Sequence, residues 1–369
     1  MMGIKHESGQ PHTNSIHDAD EHGRESVQLR RPDWDLMNAR GMIRNMTSSI
    51  AHVAERFNAM QGRLRVSVTH ACQLHCRFCH QEGIDRHWEA VHIDPDFLAK
   101  IVAAYSNLGG RYIELTGGEP TIHPNIGQLV DVVAGENRSI ILCTNGLRLD
   151  RVQDQIEKKK LDLIRLSVHA TDTSQPSKTL LGTAWNFDLL RKNVENILPS
   201  GVQIQLIFTH TRQNSHYLES VLDLALSWNV ELQVVDLIAS RANRPAEELG
   251  YVGGDEAESV MRRWATLERI VNDRTGAVLK IYRTPKGKPW EIKDFHYGVL
   301  HTEMCNDCAK RQICGEGIYA LRVDAGGVVK PCLLREDLQR RPATQETKEL
   351  ECLLGGMLRQ MLAGGMQWT

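Results

Sequence analysis

Between residues 63 and 238, short apolar or β-branched runs alternate with stretches whose apolar residues recur every three or four positions. The first rhythm predicts strands over Arg63–Thr69, Tyr112–Thr116, Ile140–Thr144, Leu163–His169, Val202–Thr209 and Glu231–Leu237. The second predicts helices over Pro95–Leu108, Ile126–Ala134, Arg151–Lys160, Asp188–Leu198 and Ser215–Trp228. Six strand–helix units in series imply a parallel sheet, because a parallel connection needs a crossover long enough to hold a helix. The expected fold is therefore α/β, a (β/α)6 partial TIM-like barrel whose functional loops follow the strands. Upstream, Leu36, Ile43, Met46, Ile50, Val53, Phe57 and Met60 are spaced by three, four and seven, which predicts an amphipathic helix over Asp33–Met60 that docks on the body. Residues 1–31 are polar, His-rich and without periodicity, and read as a disordered leader. Downstream, Gly254–Asp273 reads as a further helix and Val278–Tyr282 as a strand. The Lys/Pro-rich run TPKGKPWEIK then changes the composition. These patterns divide the chain into a leader (1–31), a helical extension (32–61), a core (62–245) and a C-terminal domain (246–369).

Composition narrows the classes. A chain of 369 residues with 41% hydrophobic residues is long enough for two domains or one large barrel with additions. A net charge of −2 and a pI near 6.8 give no electrostatic reason to expect nucleic acid or an anionic membrane. No apolar run reaches the length of a membrane span, and the first residues lack the apolar core of a signal peptide. A cytoplasmic protein is expected. Nine cysteines without an export signal then argue for metal ligation rather than disulfides. They are grouped: three at 72–79, four between 305 and 332, and only Cys143 and Cys352 apart.

Cys72, Cys76 and Cys79 form a C-x3-C-x2-C run just after the alternating segment Leu64-Arg65-Val66-Ser67-Val68. Soft thiolates select zinc, copper(I) or iron–sulfur clusters. Three ligands leave one position open, which is what catalysis needs, whereas structural zinc fills all four. A zinc knuckle completed by His75 or His80 is the alternative. The spacing, with Phe78 just before the last cysteine, resembles the radical S-adenosylmethionine (SAM) enzymes. Three further segments in order strengthen that resemblance: Thr116-Gly117-Gly118-Glu119-Pro120, Thr144-Asn145-Gly146 and Ser167-Val168-His169, each closing a predicted strand. The resemblance implies that the three cysteines bind a [4Fe–4S] cluster whose fourth iron holds SAM. It further implies that Phe78, Gly117, Gly118, Glu119, Asn145, Ser167 and His169 shape the SAM site. In such enzymes a reduced cluster splits SAM to a 5′-deoxyadenosyl radical that takes a hydrogen atom from the substrate. The electron would come from a flavodoxin- or ferredoxin-like donor.

The second group, Cys305, Cys308, Cys314 and Cys332, has the spacing C-x2-C-x5-C-x17-C. Four thiolates with one C-x2-C pair suit structural zinc. The surrounding LRVDAGGVVKPCLLRED, and the opening LRVSVTHACQLHCRFCHQEG, resemble the GTP 3′,8-cyclase family of molybdenum-cofactor biosynthesis. The C-x2-C-x5-C part also resembles the twitch and SPASM extensions of peptide-modifying radical SAM enzymes. Both resemblances imply an auxiliary [4Fe–4S] cluster. Of the cyclase family's substrate positions, Arg65 and Arg322 are in place, and they are the candidates for an anionic or carbonyl group of a substrate. Four others are changed, to Glu114, Cys143, Gln203 and Ala320, and Gly364-Gly365 is followed by MQWT rather than ending the chain. Glu114 is expected to face the pocket. A triphosphate needs several cationic donors, so a small molecule other than GTP is the expected substrate. A peptide maturase, a true GTP cyclase and a non-enzymatic iron–sulfur sensor remain as alternatives.

Overall fold

The computed structural model describes residues 50–83, 90–238, 250–272, 276–364 and 367–368, which lie in one compact unit. The expected leader and the first half of the predicted N-terminal helix fall outside the described residues. Its second half is helix α1 (Ile50–Ala59), which buries Val53, Ala54 and Phe57.

Six parallel strands follow in chain order: β1 (Arg63–Ser67), β2 (Tyr112–Thr116), β3 (Ser139–Thr144), β4 (Leu163–Ser167), β5 (Gln203–His210) and β6 (Glu231–Asp236). Each pairs with the next. The crossovers are α2 (Pro95–Asn107), α3 (Ile126–Val133), α4 (Gln153–Glu157), α5 (Gln175–Leu181) with α6 (Phe187–Ile197), and α7 (Leu218–Trp228). Capping fixes several starts. Asp94 accepts from the Phe97 amide and Asn186 from the Leu189 amide, each satisfying a first-turn donor that has no helical partner. The apolar faces of these helices bury residues such as Leu98, Leu129, Leu190 and Leu222 against the outside of the sheet. The sheet does not close on itself, so the expected partial barrel is the observed architecture.

Helix α5 has no counterpart in the sequence reading; at seven residues it is too short for periodicity to register. A second difference lies at 254–273. Helix α8 stops at Met261, and strand β7 (Thr266–Val271) pairs antiparallel with β8 (Leu279–Arg283). Thr266, Ile270 and Val271 are β-branched, and a neighbouring strand outweighs helical spacing there.

The TPKGKPWEIK run is not a linker. It forms a turn and then β9 (Pro289–Lys293), which pairs in parallel with β6. Beyond the short strand β10 (Leu300–His301), β11 (Ala320–Val323) pairs in parallel with β1 and carries β12 (Val329–Lys330). The C-terminal residues thus extend both edges of the sheet, giving the order β12-β11-β1-β2-β3-β4-β5-β6-β9-β8-β7. Helix α9 (Thr347–Met361) packs on α1 and α2, and β13 (Gln367–Trp368) pairs with β10. Among the described residues no helix is long and apolar enough to cross a membrane.

Candidate functional site

The loop after β1 carries the first cysteine group, and three neighbouring segments hold it. The His75 and Arg77 amides donate to the carbonyls of Leu181 and Leu180, at the end of the unforeseen α5. From the loop after β2, the Gly118 amide donates to Thr69 O and the Glu119 amide to Ala71 O, at 2.7 and 2.8 Å. This close approach requires glycine: a Cβ on Gly118 would lie 2.1 Å from Ala71 O, and Gly117 sits at φ 143°. From the loop after β3, Asn145 Oδ1 accepts from Gln73 Nε2 at 3.2 Å.

One cavity of about 280 Å³ opens among these loops. Cys72, Cys76, Cys79 and Phe78 line it on one side, and Gly117, Gly118, Glu119, Asn145, Ser167 and His169 on others. The structure therefore brings together every residue that the opening motifs single out. Glu119 is 1% exposed. Its Oε1 accepts from the Thr121 amide (2.9 Å), Thr121 Oγ1 (2.5 Å) and Thr144 Oγ1 (2.7 Å), while Oε2 accepts from the Asn145 amide (2.7 Å). Burial still pushes its carboxyl above the usual range. Glu119 thus ties the loop after β2 to the loop after β3, with most acceptor capacity spent inside the protein. His169 packs edge-on against Phe78, with centroids 4.7 Å apart. Burial holds it down at about 3, so it is neutral. The Thr209 amide donates to its Nδ1, which leaves the proton on Nε2.

The second group converges as well. Cys305, Cys308, Cys314 and Cys332 line a small cavity of about 20 Å³, beside His301 and Arg335. None of the nine cysteines forms a disulfide. A tetrahedral zinc, with Zn–S near 2.3 Å, holds its sulfurs only about 3.8 Å apart. Among the described residues, the one set of three or more His, Cys, Asp or Glu ligand atoms mutually within 4.8 Å is Asp236, Asp294 and His296. Both cysteine groups are therefore more open than a single ion draws them. That spacing suits a cluster in which each thiolate binds a different iron. His80 is not aimed at a zinc knuckle either, since its Nδ1 accepts from the Glu82 amide at 3.1 Å.

The candidate substrate residues stand differently from the expectation. Glu114 lines the cavity but is fully buried and already engaged. It pairs with Arg63 (2.8 Å), Arg65 and Arg165 (3.6 Å), and accepts from Cys143 Sγ at 2.8 Å. Arg65 also grips Glu82 with two nitrogens, at 2.9 and 2.6 Å. Arg322 is not among the lining residues; it is buried between Glu82 and Glu316, ion-paired to both. These pairs hold the Glu82 carboxyl far below the usual range. They also fix Glu82 in a left-handed conformation, φ 53°, which an L-residue adopts at a cost of about 1–2 kcal/mol. Gln203 is exposed at the foot of β5, and Ala320 is buried on β11.

Sequence reading missed Arg63, Glu82, Arg165, Lys293, Glu316 and Tyr319. Alternation along β1 and β4 marks Arg63 and Arg165 as sharing a face with Arg65 and Ser167, and that was the available signal. No such signal exists for Lys293 or Tyr319, which reach the site only through pairing of distant strands. The same is true of Asp236 and Asp294 at the ends of β6 and β9. There, burial and the neighbouring carboxylate push Asp236 up to about 9. Asp294 accepts from the His296 amide at 2.7 Å and from the Gly254 amide, which anchors the start of α8.

The Radical SAM superfamily profile matches residues 66–225. A relative named "Probable GTP 3',8-cyclase" from Methanococcus maripaludis is 23% identical over 290 residues, spanning 77% of this chain and 89% of its own. Another of the same name, from Sulfurisphaera tokodaii, is 26% identical over 296 residues, spanning 77% and 84%. Among solved structures, Streptococcus suis SuiB bound to precursor peptide SuiA superposes with a TM-score of 0.55 at 14% identity. It covers 86% of this chain and 67% of that one, a likeness of fold alone.

Proposed function

With residues 66–225 forming a radical SAM superfamily domain, we propose that this chain reductively cleaves SAM and takes a hydrogen atom from a small molecule other than GTP. One observation carries the reading: a single cavity gathers the three opening cysteines and the ends of β2, β3 and β4. Cys72, Cys76 and Cys79 would hold the SAM-binding [4Fe–4S] cluster, and Cys305, Cys308, Cys314 and Cys332 an auxiliary one. When bound, the first cluster and SAM supply the electron and the radical-generating bond.

The chain's own residues do the rest. Gly117 and Gly118 bring backbone within reach of the methionyl end of SAM. Glu119 holds the loops after β2 and β3 at fixed separation, leaving Oε2 with a single protein donor. Neutral His169 offers an Nε2 donor beside Ser167. Phe78 and His169 pack together and keep water from the cluster side. The cavity is of small-molecule scale.

The test is anaerobic reconstitution followed by iron analysis and mass spectrometry. About eight irons per chain, four for each cluster, are expected. Dithionite with SAM should yield 5′-deoxyadenosine, and Cys76→Ala should abolish it. Persistent product in that variant would show that the loop does not hold the catalytic cluster. The names of the relatives favour a second reading, a true GTP 3′,8-cyclase. Incubation with GTP, SAM and reductant separates the two, because a 3′,8-cyclised nucleotide formed at a rate comparable to SAM cleavage refutes the exclusion of GTP.

A further inference from the structure

Below the strand ends, the inside of the partial barrel is lined with charge. Arg65 is the register partner of Glu114 on one side and of Arg322 on the other. Among the described residues, this layer and its immediate supports hold six cationic side chains: Arg63, Arg65, Arg165, Lys293, Arg322 and Lys330. They face four carboxylates. Glu114 pairs with Arg63, Arg65 and Arg165; Glu82 pairs with Arg65 and Arg322; Glu316 pairs with Arg322. The fourth, Glu291, accepts from Gln233 at 2.7 Å. The surplus is two positive charges. It is not spread evenly, because Arg322 is closed off by two carboxylates while Arg165 and Lys293 line the open cavity. The one ion pair of Arg165 is long, 3.6 Å, and its buried Nε has no hydrogen-bond partner. Lys293 Nζ stands 4.7 Å from the centre of the Tyr319 ring. Burial and the neighbouring arginines hold Lys293 down to about 8 and Arg63 to about 9, as expected where positive charge exceeds negative.

Resting on the radical SAM reading, we propose that Arg165 and Lys293 anchor the single anionic group, carboxylate or monophosphate, of a small substrate. Glu114 is the fixed counter-charge that turns away a polyphosphate. A group of one or two charges matches the surplus, whereas a triphosphate brings roughly four at neutral pH and leaves about two unmatched in a buried setting. The anchor also limits the substrate's length. Arg165 precedes Ser167 by two residues on β4, so the anionic end sits about 6.6 Å deeper than the layer of Ser167. The carbon that gives up hydrogen therefore lies several bonds from the anionic group.

The reconstituted, SAM-loaded holoprotein tests this by calorimetry at fixed ionic strength, with acetate, phosphate, pyrophosphate and tripolyphosphate as probes. Phosphate or acetate should bind at least as tightly as tripolyphosphate, and which of the two is tighter identifies the head group. Arg165→Gln and Lys293→Met should each weaken that binding at least tenfold. Glu114→Gln should reverse the order, raising tripolyphosphate affinity at least tenfold over wild type. A wild-type affinity that climbs tenfold or more with each added phosphate overturns the proposal. So does unchanged phosphate and acetate binding in both cation variants. If Glu114→Gln does not fold, the wild-type order and the two cation variants still decide. Formation of 5′-deoxyadenosine is measured on the same samples. Its absence beside the expected anion order refutes the radical chemistry and leaves the anchor supported.

Discussion

Replacing Glu119 separates a structural tie from a space-filling side chain. In Glu119→Ala the two hydroxyls that donate to it, on Thr121 and Thr144, can rotate to other acceptors. The amides of Thr121 and Asn145 cannot. Each buried donor left without a partner costs about 1–3 kcal/mol. Removing a carboxylate whose burial is unfavourable offsets part of that, so a net loss of roughly 2–4 kcal/mol is expected. Glu119→Gln is the sharper variant. It keeps volume and one oxygen, but sets an NH2 against either the Asn145 amide or the three donors on Oε1. Since neither orientation satisfies all four donors, Gln should cost about 1–3 kcal/mol although it is nearly isosteric. For a body of this size each kcal/mol shifts the melting temperature by about 2–4 °C, so losses of roughly 3–10 °C are expected. Thermal unfolding of the anaerobically prepared apoprotein measures this, and equilibrium dialysis of SAM on the reconstituted protein measures the effect on the site. Glu119→Gln melting within 1 °C of wild type, with SAM affinity unchanged, would show that the carboxylate does not hold the two loops.

Two further outcomes follow from other residues. Cys332→Ala should lower bound iron from about eight to about four per chain while 5′-deoxyadenosine formation persists; one zinc and four irons in the wild type would instead make the second group a zinc site. His169 has a folded pKa near 3 against about 6.5 when unfolded. The unfolded chain therefore binds the extra proton between those values, and the stability due to the neutral histidine is present above pH 6.5 and lost as pH falls. Between pH 7 and 5.5 the loss is about 1 kcal/mol, and His169→Gln should remove that part of the dependence in urea titrations. An unchanged pH slope in the variant refutes the assignment.

Much of the site was legible in the chain because its signals are local. The C-x3-C-x2-C loop, GGEP and TNG each close a strand whose own apolar pattern announces it, and a loop after a parallel strand must emerge at the same end of the sheet as its neighbours. Cys72, Cys76, Cys79, Gly118, Glu119, Asn145, Ser167 and His169 therefore meet, as their order along the chain implied. Alternation along β1 and β4 also places Arg63 and Arg165 on the inner face.

What those inner side chains do was decided only by tertiary structure. Arg65 and Arg322 look alike in sequence, yet one lines the cavity and the other is sealed between Glu82 and Glu316. Glu114 reads as a lost arginine but acts as the counter-charge of three. Lys293 and Tyr319 enter because β9 and β11 pair with opposite edges of the sheet, β6 and β1. That pairing joins residues more than fifty positions apart, and no local period encodes it. Secondary structure follows from the side chains within a few residues of each position, whereas the charge balance of a barrel interior depends on every strand that contributes to it. It becomes defined only when the last strands have taken their places.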